Sequence, residues 1–241
     1  MVLLDDNFAS IVAAVHEGRT VYDNIRKVIA WTLPTNGGEA LAVVLAMLFN
    51  FTLPMTAGQI LWVNLILAVT HGLALAFEPP EPRSMTRPPR PASASLLSPF
   101  LLWRVFLVSA LMAVAELAMF FHALDAGRDI ETARTLVVNA VMVMATFYLF
   151  NVRFLHMRSL TWQGALGTPS ALVSIAVVVA AQLVFTFSPI MNELFDTRPL
   201  TLADGVWLIA IGLLLMLLLE GEKLAVRSLS GRASMARADR K

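Results

Sequence analysis

The sequence predicts an all-α membrane protein: a six-helix transmembrane bundle preceded by a short N-terminal cytoplasmic amphipathic helix. Three observations predict it. The 241 residues are 58% hydrophobic and only 15% charged, with mean hydropathy +0.72, whereas soluble domains carry about 25% charged residues. Six apolar runs, near 28–50, 59–78, 100–123, 134–154, 170–190 and 204–220, approach or exceed the ~20 residues a helix needs to cross a ~30 Å hydrocarbon core. Basic residues are dense on alternate connections and sparse on the others. Cysteine is absent, which excludes disulfides, thiolate metal sites and cysteine nucleophiles. The net charge of +1 says nothing by itself; its distribution matters more, and nucleic acid is not an expected partner.

Residues 1–27 come first and differ from the rest. Acidic residues precede the first apolar ones in "VLLDDNFASIVAAVHEGR", so this is not a signal peptide. Phe8, Ile11, Val12 and Val15 recur at helical spacing, with Asp6 as the cap and Gly18 as the stop. The apolar face lacks the Lys/Arg excess of a membrane-surface anchor. It is therefore expected to pack against a cytoplasmic domain that this chain does not include.

The first span contains "LPTNGGEALAV", residues 33–43. A proline, an asparagine, two glycines and a glutamate within six positions weaken a membrane helix. An ionisable group near the bilayer centre costs about 2.5–3.5 kcal/mol on insertion scales, so it is functional by default and turned from lipid. Asn36 and Glu39, three residues apart, share a face. Pro34 removes a backbone hydrogen bond before them, and the pattern predicts an unwound turn with free carbonyls beside a carboxylate. Oxygen ligands of that kind suit hard cations.

After the short uncharged turn "NFTLPMTAGQ", the second span offers Asn64, Thr70 and His71. Asn64 and His71, seven apart, align on an α-helix, whereas Asn64 and Thr70 align only if the helix is broken between them. For Asn64 a ligand and a packing hydrogen bond are equally good readings. The span-one glycines and His71 read first as packing and hydrogen-bonding groups. The proline-rich "EPPEPRSMTRPPRPASAS" then forms an extended tether. Spans three to five carry Glu116, Asn139, Thr146 and Gln182, and Glu220 ends span six. Trp31, Trp62, Trp103 and Trp207 lie near span ends, as interfacial anchors do.

Fifteen of the 18 Lys and Arg residues lie in the N-terminal segment, the 79–99 linker with Arg104, the 153–169 loop and the tail. Arg128, Arg134 and Arg198 are left on the other side. By the positive-inside rule both termini are cytoplasmic, and the chain is a multi-pass protein of the cell membrane.

Two stretches carry a family resemblance. "LLDDNFASIVAAVHEGRTVYDNIRKVIAWTLPTNGGEALAV" is similar to the end of the phosphorylation domain and the fifth transmembrane helix of type II cation-transporting P-type ATPases, the calcium-pump-like branch. "QILWVNLILAVTHGLALAFEPPEPRSM" resembles their sixth helix and the following cytoplasmic loop. The "ART…FN.R" pattern around Ala133–Arg153 and the number of later spans resemble the same family. The resemblance implies the last six of ten helices. Residues 1–27 would be a remnant of the phosphorylation domain and stalk, 28–225 the six-span domain and 226–241 a basic cytoplasmic tail. It further implies that Asn36, Glu39 and Asn64 ligate the transported cation, with Thr70, His71 and Thr146 as weaker candidates.

Departures from the family pattern narrow the cargo. Leu67 and Ala68 stand where calcium pumps have Thr-Asp, and Ala145 stands where their eighth helix carries a glutamate. With two carboxylates fewer, the sequence favours one cation, monovalent or divalent, or protons carried on Glu39. The family's phosphorylated "DKTGT" aspartate and its "TGDG.ND.P" magnesium loop do not occur here. ATP and Mg²⁺ are thus implied only for a full-length pump. This chain is expected to hold no cofactor and not to hydrolyse ATP alone. The expected partners are the bilayer, the cation and the N-terminal half of such a pump. Two further readings are a stand-alone module that assembles with or regulates a pump, and a passive channel or secondary carrier. The last is disfavoured because no inverted repeat or ring of like charges is visible.

Overall fold

The computed structural model describes residues 7–80, 84–89, 95–153 and 168–238, with side chains as far as 225. Six helices among them are long and apolar enough to cross a membrane, and no strand occurs among the described residues. The predicted Asp6 cap, the 154–167 loop and the side chains of the tail lie outside this description.

α1 (Phe8–Leu48) is a single helix of 41 residues, about 60 Å long at 1.5 Å per residue. Asn7 caps it through a 3.0 Å bond from the Ala9 N–H. Here the structure corrects the sequence reading, because the N-terminal amphipathic segment and the first span are one element. A glycine inside a helix costs about 1 kcal/mol relative to alanine and stops the helix only with a left-handed cap or a proline behind it. Gly18 has neither. Beyond it, Asn24 donates to the carbonyls of Ala76 (3.1 Å) and Glu78 (2.7 Å). Arg19 donates to those of Ser84 (2.7 Å) and Arg87 (2.8 Å), and Asp23 pairs with Arg87 at 3.1 Å. The start of the proline-rich tether is thereby strapped to α1.

The unwinding expected at Pro34 is also absent. Lacking an N–H, Pro34 leaves the Ala30 carbonyl without its helical donor, and the Tyr148 hydroxyl fills that role at 2.8 Å. Ser109 donates to the Pro34 carbonyl at 3.2 Å. Neighbouring helices thus satisfy the backbone, as a helix in lipid requires, and no free carbonyl is left beside Glu39 by the proline.

The second span is the irregular one. α2 (Ala57–Leu67) starts with a capping box between Thr56 and Gln59, passes through a π-helical turn, Ala68–Gly72, and resumes as α3 (Leu73–Ala76). α4 (Pro99–Asp125) follows a Ser98 cap and α6 (Pro169–Phe187) a Thr168 cap, each with proline in the first turn. Between them, α5 (Ile130–Arg153) is the most buried span. The turn from α4 to α5 uses Gly127 at φ +75°, where glycine avoids a Cβ clash. A short α7 (Pro189–Phe195) interrupts the connection to α8 (Leu202–Ala238). The last helix thus continues without a break into the tail as far as Ala238.

α5 is the hub: α1, α2, α4, α6 and α8 all pack against it, and α1 also runs along α4. Its buried residues include Val137, Val141, Tyr148 and Leu149. Outward faces such as Leu61, Phe106, Val114, Val173 and Leu217 are apolar and exposed, as lipid-facing surfaces are. The expected tryptophan anchors divide. Trp103 and Trp207 are exposed, and Trp62 stacks on Phe185 at 5.2 Å. Trp31 is instead buried at 2% exposure, its indole N–H bonded to the Ala145 carbonyl at 3.0 Å.

Candidate functional site

Glu39 lies in the middle of the first span and is 3% exposed. Its Oε2 accepts from the Asn64 amide of α2 at 2.9 Å, and that amide also donates to the Ile60 carbonyl at 3.0 Å. Both amide protons are spent on protein acceptors, which leaves Asn64 Oδ1 as its oxygen donor for a cation. Glu39 Oε1 is buried and has no hydrogen-bond partner among the described residues. The short α1–α2 connection makes the two helices neighbours, so this pair follows directly from the sequence.

The other candidates are placed differently. Asn36 sits on the exposed side of α1, while Thr35, Gly38 and Glu39 are turned inward. Shared helical face notwithstanding, Asn36 is not drawn into the Glu39–Asn64 contact. Thr70 is buried and bonds back to the Ile66 carbonyl at 2.6 Å. His71 is fully buried; its Nδ1 meets Ser174 Oγ at 3.1 Å and its Nε2 meets Thr146 Oγ1 at 3.0 Å. The Trp31 ring lies edge-on at 5.7 Å.

Asn64 and His71 therefore serve two clusters. The π turn inserts a residue between them and rotates everything beyond it by about 100°. Asn64 faces α1, and His71 faces α5 and α6. Seven-residue spacing alone does not reveal this, and no local signal in "LAVTHG" announces it beyond the polar residues themselves.

Glu116 of α4 shows more in the structure than in the sequence. It is 0% exposed, and neither carboxylate oxygen has a hydrogen-bond partner among the described residues. A Cβ placed on Gly38 would lie 3.4 Å from its Oε1, so Glu116 abuts the α1 turn that carries Glu39, within reach of that group's charge. No group of three or more His, Asp or Glu suited to a metal occurs among the described residues. Near Glu39 the Asn64 carboxamide and, against the neighbouring Gly38, the Glu116 carboxylate add side-chain oxygens to its own.

Six helices long and apolar enough to cross a bilayer, packed around α5, make up a multi-span membrane domain. The chain belongs to the cation-transporting ATPase C-terminal domain family, whose model matches residues 52–225. It is 44% identical over 86% of its length to the probable cation-transporting ATPase F of Mycobacterium tuberculosis, covering 22% of that protein. It is 38% identical over 83% of its length to the cation-transporting ATPase pma1 of Synechocystis, covering 23%. With the calcium-transporting ATPase of Bacillus subtilis it shares 30% identity over 88% of its length and 24% of the relative. The chain spans about a quarter of the length of these relatives.

Proposed function

We propose that this chain is the membrane part of an ATP-driven cation transporter and supplies part of its intramembrane ion site. One observation carries the reading: a carboxylate buried in mid-membrane, Glu39, with one oxygen held by Asn64 and the other without a partner. An ionisable group is kept in such a place for ions or protons. Asn36, on the exposed side of the same helix turn, is assigned as a ligand that closes on the ion from a face other segments of the transporter cover. Relatives named for cation and calcium transport support a cationic cargo.

ATP hydrolysis belongs, on this reading, to segments outside these 241 residues, and the N-terminal half of such a transporter is the partner. The start of α1 supports that partner. Phe8 (81% exposed), Val12 and Val15 present an uncovered apolar face at the end where the resemblance places the phosphorylation domain. The distribution of Lys and Arg supports cytoplasmic termini in the cell membrane.

The test is ion binding. The purified chain in detergent is titrated calorimetrically with Ca²⁺, Mn²⁺, Mg²⁺, Na⁺ and K⁺, with Glu39→Gln in parallel. Saturable heat for one ion, lost in Glu39→Gln, is expected. Heats that do not saturate for any of the five, or that persist in Glu39→Gln, would refute an ion site at Glu39.

A further inference from the structure

Glu116 is a carboxylate inside the membrane with no hydrogen-bond partner among the described residues, and a group of that kind requires an explanation. An ionised carboxylate without a counter-charge is so costly in an apolar interior that it takes up a proton or a cation instead. Among the described residues neither Glu39 nor Glu116 forms an ion pair with Lys, Arg or His. On α4 itself the other titratable groups are distant: Arg104 lies twelve residues away, bonded to Asn151, and His122 and Asp125 occupy the last turns. From α5 the Tyr148 hydroxyl is committed to the Ala30 carbonyl, and Glu222 of α8 lies 3.9 Å from Arg104. Glu39 is the α1 titratable group next in sequence to Gly38, where an added Cβ would lie 3.4 Å from Glu116 Oε1.

The backbone explains how the two meet. Ser109, Met112 and Glu116 recur at i, i+3 and i+7 and form one face of α4. Gly37 abuts Ser109, and a Cβ on Gly38 would lie 2.7 Å from Met112 Cβ. The glycine pair lets α4 approach α1 closely enough to set Glu116 beside the turn that carries Glu39. The arrangement has the ingredients of a hard-cation site: two carboxylates and a carboxamide oxygen.

We propose that Glu116 is a second carboxylate of the intramembrane site, and that with Glu39 and Asn64 it takes one divalent cation, for which two protons substitute when the ion leaves. This rests on the reading of Glu39 as an ion ligand and adds the charge of the cargo. Two carboxylates that have both lost their protons are neutral together with a divalent cation, whereas a monovalent ion reaches neutrality only if one carboxyl group keeps its proton. On entry of the ion both carboxyl O–H bonds break, the two protons go to water and one oxygen lone pair from each carboxylate turns to the metal. Nothing is oxidised or reduced.

Mn²⁺ is the probe. The full chain in detergent is titrated with Mn²⁺ by calorimetry in two buffers of different protonation enthalpy, which yields affinity and protons released together. Wild type is expected to bind one Mn²⁺ with release of protons. Glu116→Gln, close in size and shape, should weaken Mn²⁺ by about tenfold or more and release about one proton fewer. If Glu116→Gln binds as wild type while Glu39→Gln does not bind, Glu116 is a packing group and only the Glu39 site stands. Saturable Na⁺ or K⁺ binding without Mn²⁺ binding likewise overturns the divalent pair and leaves the transporter reading intact. Should Glu116→Gln not fold, difference infrared spectroscopy on wild type decides. Mn²⁺ should bleach the carbonyl stretch of protonated carboxyl groups, and a band that saturating Mn²⁺ leaves unchanged overturns the proposal.

Discussion

Asn64 holds Glu39 across the α1–α2 interface with a 2.9 Å hydrogen bond to Oε2. Removing the donor in Asn64→Leu leaves both Glu39 oxygens unpaired. An interhelical bond of this type contributes about 0.6–2 kcal/mol in a membrane protein, so a lower unfolding temperature in detergent is expected. Any ion affinity should fall with it, because on the proposed reading Asn64 is both a ligand and the group that positions Glu39. Thermal unfolding and ion calorimetry on one preparation check this. Unchanged affinity would remove Asn64 from the site.

Glu78 and Arg153 form a buried ion pair at 2.7 Å, and the same Glu78 oxygen accepts from Thr168 at 2.9 Å. It joins the end of the second span to the end of α5 and the start of α6. Breaking such a pair on one side costs about 3–5 kcal/mol because it strands the other charge, while replacing both partners with apolar groups costs far less. Arg153→Met should therefore be much less stable than Glu78→Leu/Arg153→Met. Chemical denaturation of the two variants measures the gap, and a double variant as unstable as the single would contradict the account.

Two glycines of α1 should respond oppositely to alanine. Around Gly18 nothing lies within 4 Å of an added Cβ, so Gly18→Ala should stabilise by about 0.5–1 kcal/mol through helix propensity. At Gly38 the new methyl would sit 2.7 Å from Met112 Cβ, which is tied to the α4 backbone. Overpacking of that kind costs about 1–3 kcal/mol. Met112→Gly has its own cost, so the clash shows in a double-mutant cycle: Gly38→Ala and Met112→Gly together should cost less than the sum of the two alone. Denaturant midpoints of Gly18→Ala and of the cycle give the comparison.

The spans and the Glu39–Asn64 contact were legible because they depend on composition, helical period and a short connection. The continuity of α1 was not, since Gly18 reads as a stop until its cap and its neighbours are known. Nor was the fate of the Ala30 carbonyl, which depends on Tyr148 arriving from a helix 118 positions away in sequence. Glu116 was visible as a polar residue, but only the Gly38–Met112 approach gives it a neighbour. The π turn escaped entirely, because α and π hydrogen bonding place the same residue types in one continuous helix.

Outside the membrane, Asp129 caps α5. It accepts from the Thr132 hydroxyl at 2.7 Å and from the Thr132 N–H at 3.3 Å. The hydroxyl bond comes first among the causes that hold its carboxyl below the ordinary 3.8. A carboxylate with a depressed folded value stabilises above its unfolded value, and the benefit is lost as pH falls through the folded one. Asp129→Ala should cost about 1 kcal/mol near neutrality, with the gap to wild type narrowing as pH drops below 3.8. A gap independent of pH down to the acid limb would mean that the cap does not depend on charge.

His71 offers the sharpest separation of architecture from transport. Ser174 also bonds the Ala171 carbonyl at 2.8 Å and Thr146 the Met142 carbonyl at 2.8 Å. A neutral imidazole has one donor and one acceptor nitrogen, so one of the two hydroxyls turns its proton to the ring and the other accepts. His71→Leu removes both ring contacts, yet each hydroxyl keeps a helix carbonyl to bond, which limits the loss to about 1–3 kcal/mol. The π turn aims His71 at α5 and α6, away from Asn64 and Glu39. Whatever ion wild type binds, His71→Leu should bind it within about twofold while unfolding at a lower temperature, as independent sites do. A His71→Leu chain that unfolds like wild type but no longer binds the ion would place this histidine in the ion site and join the two clusters into one.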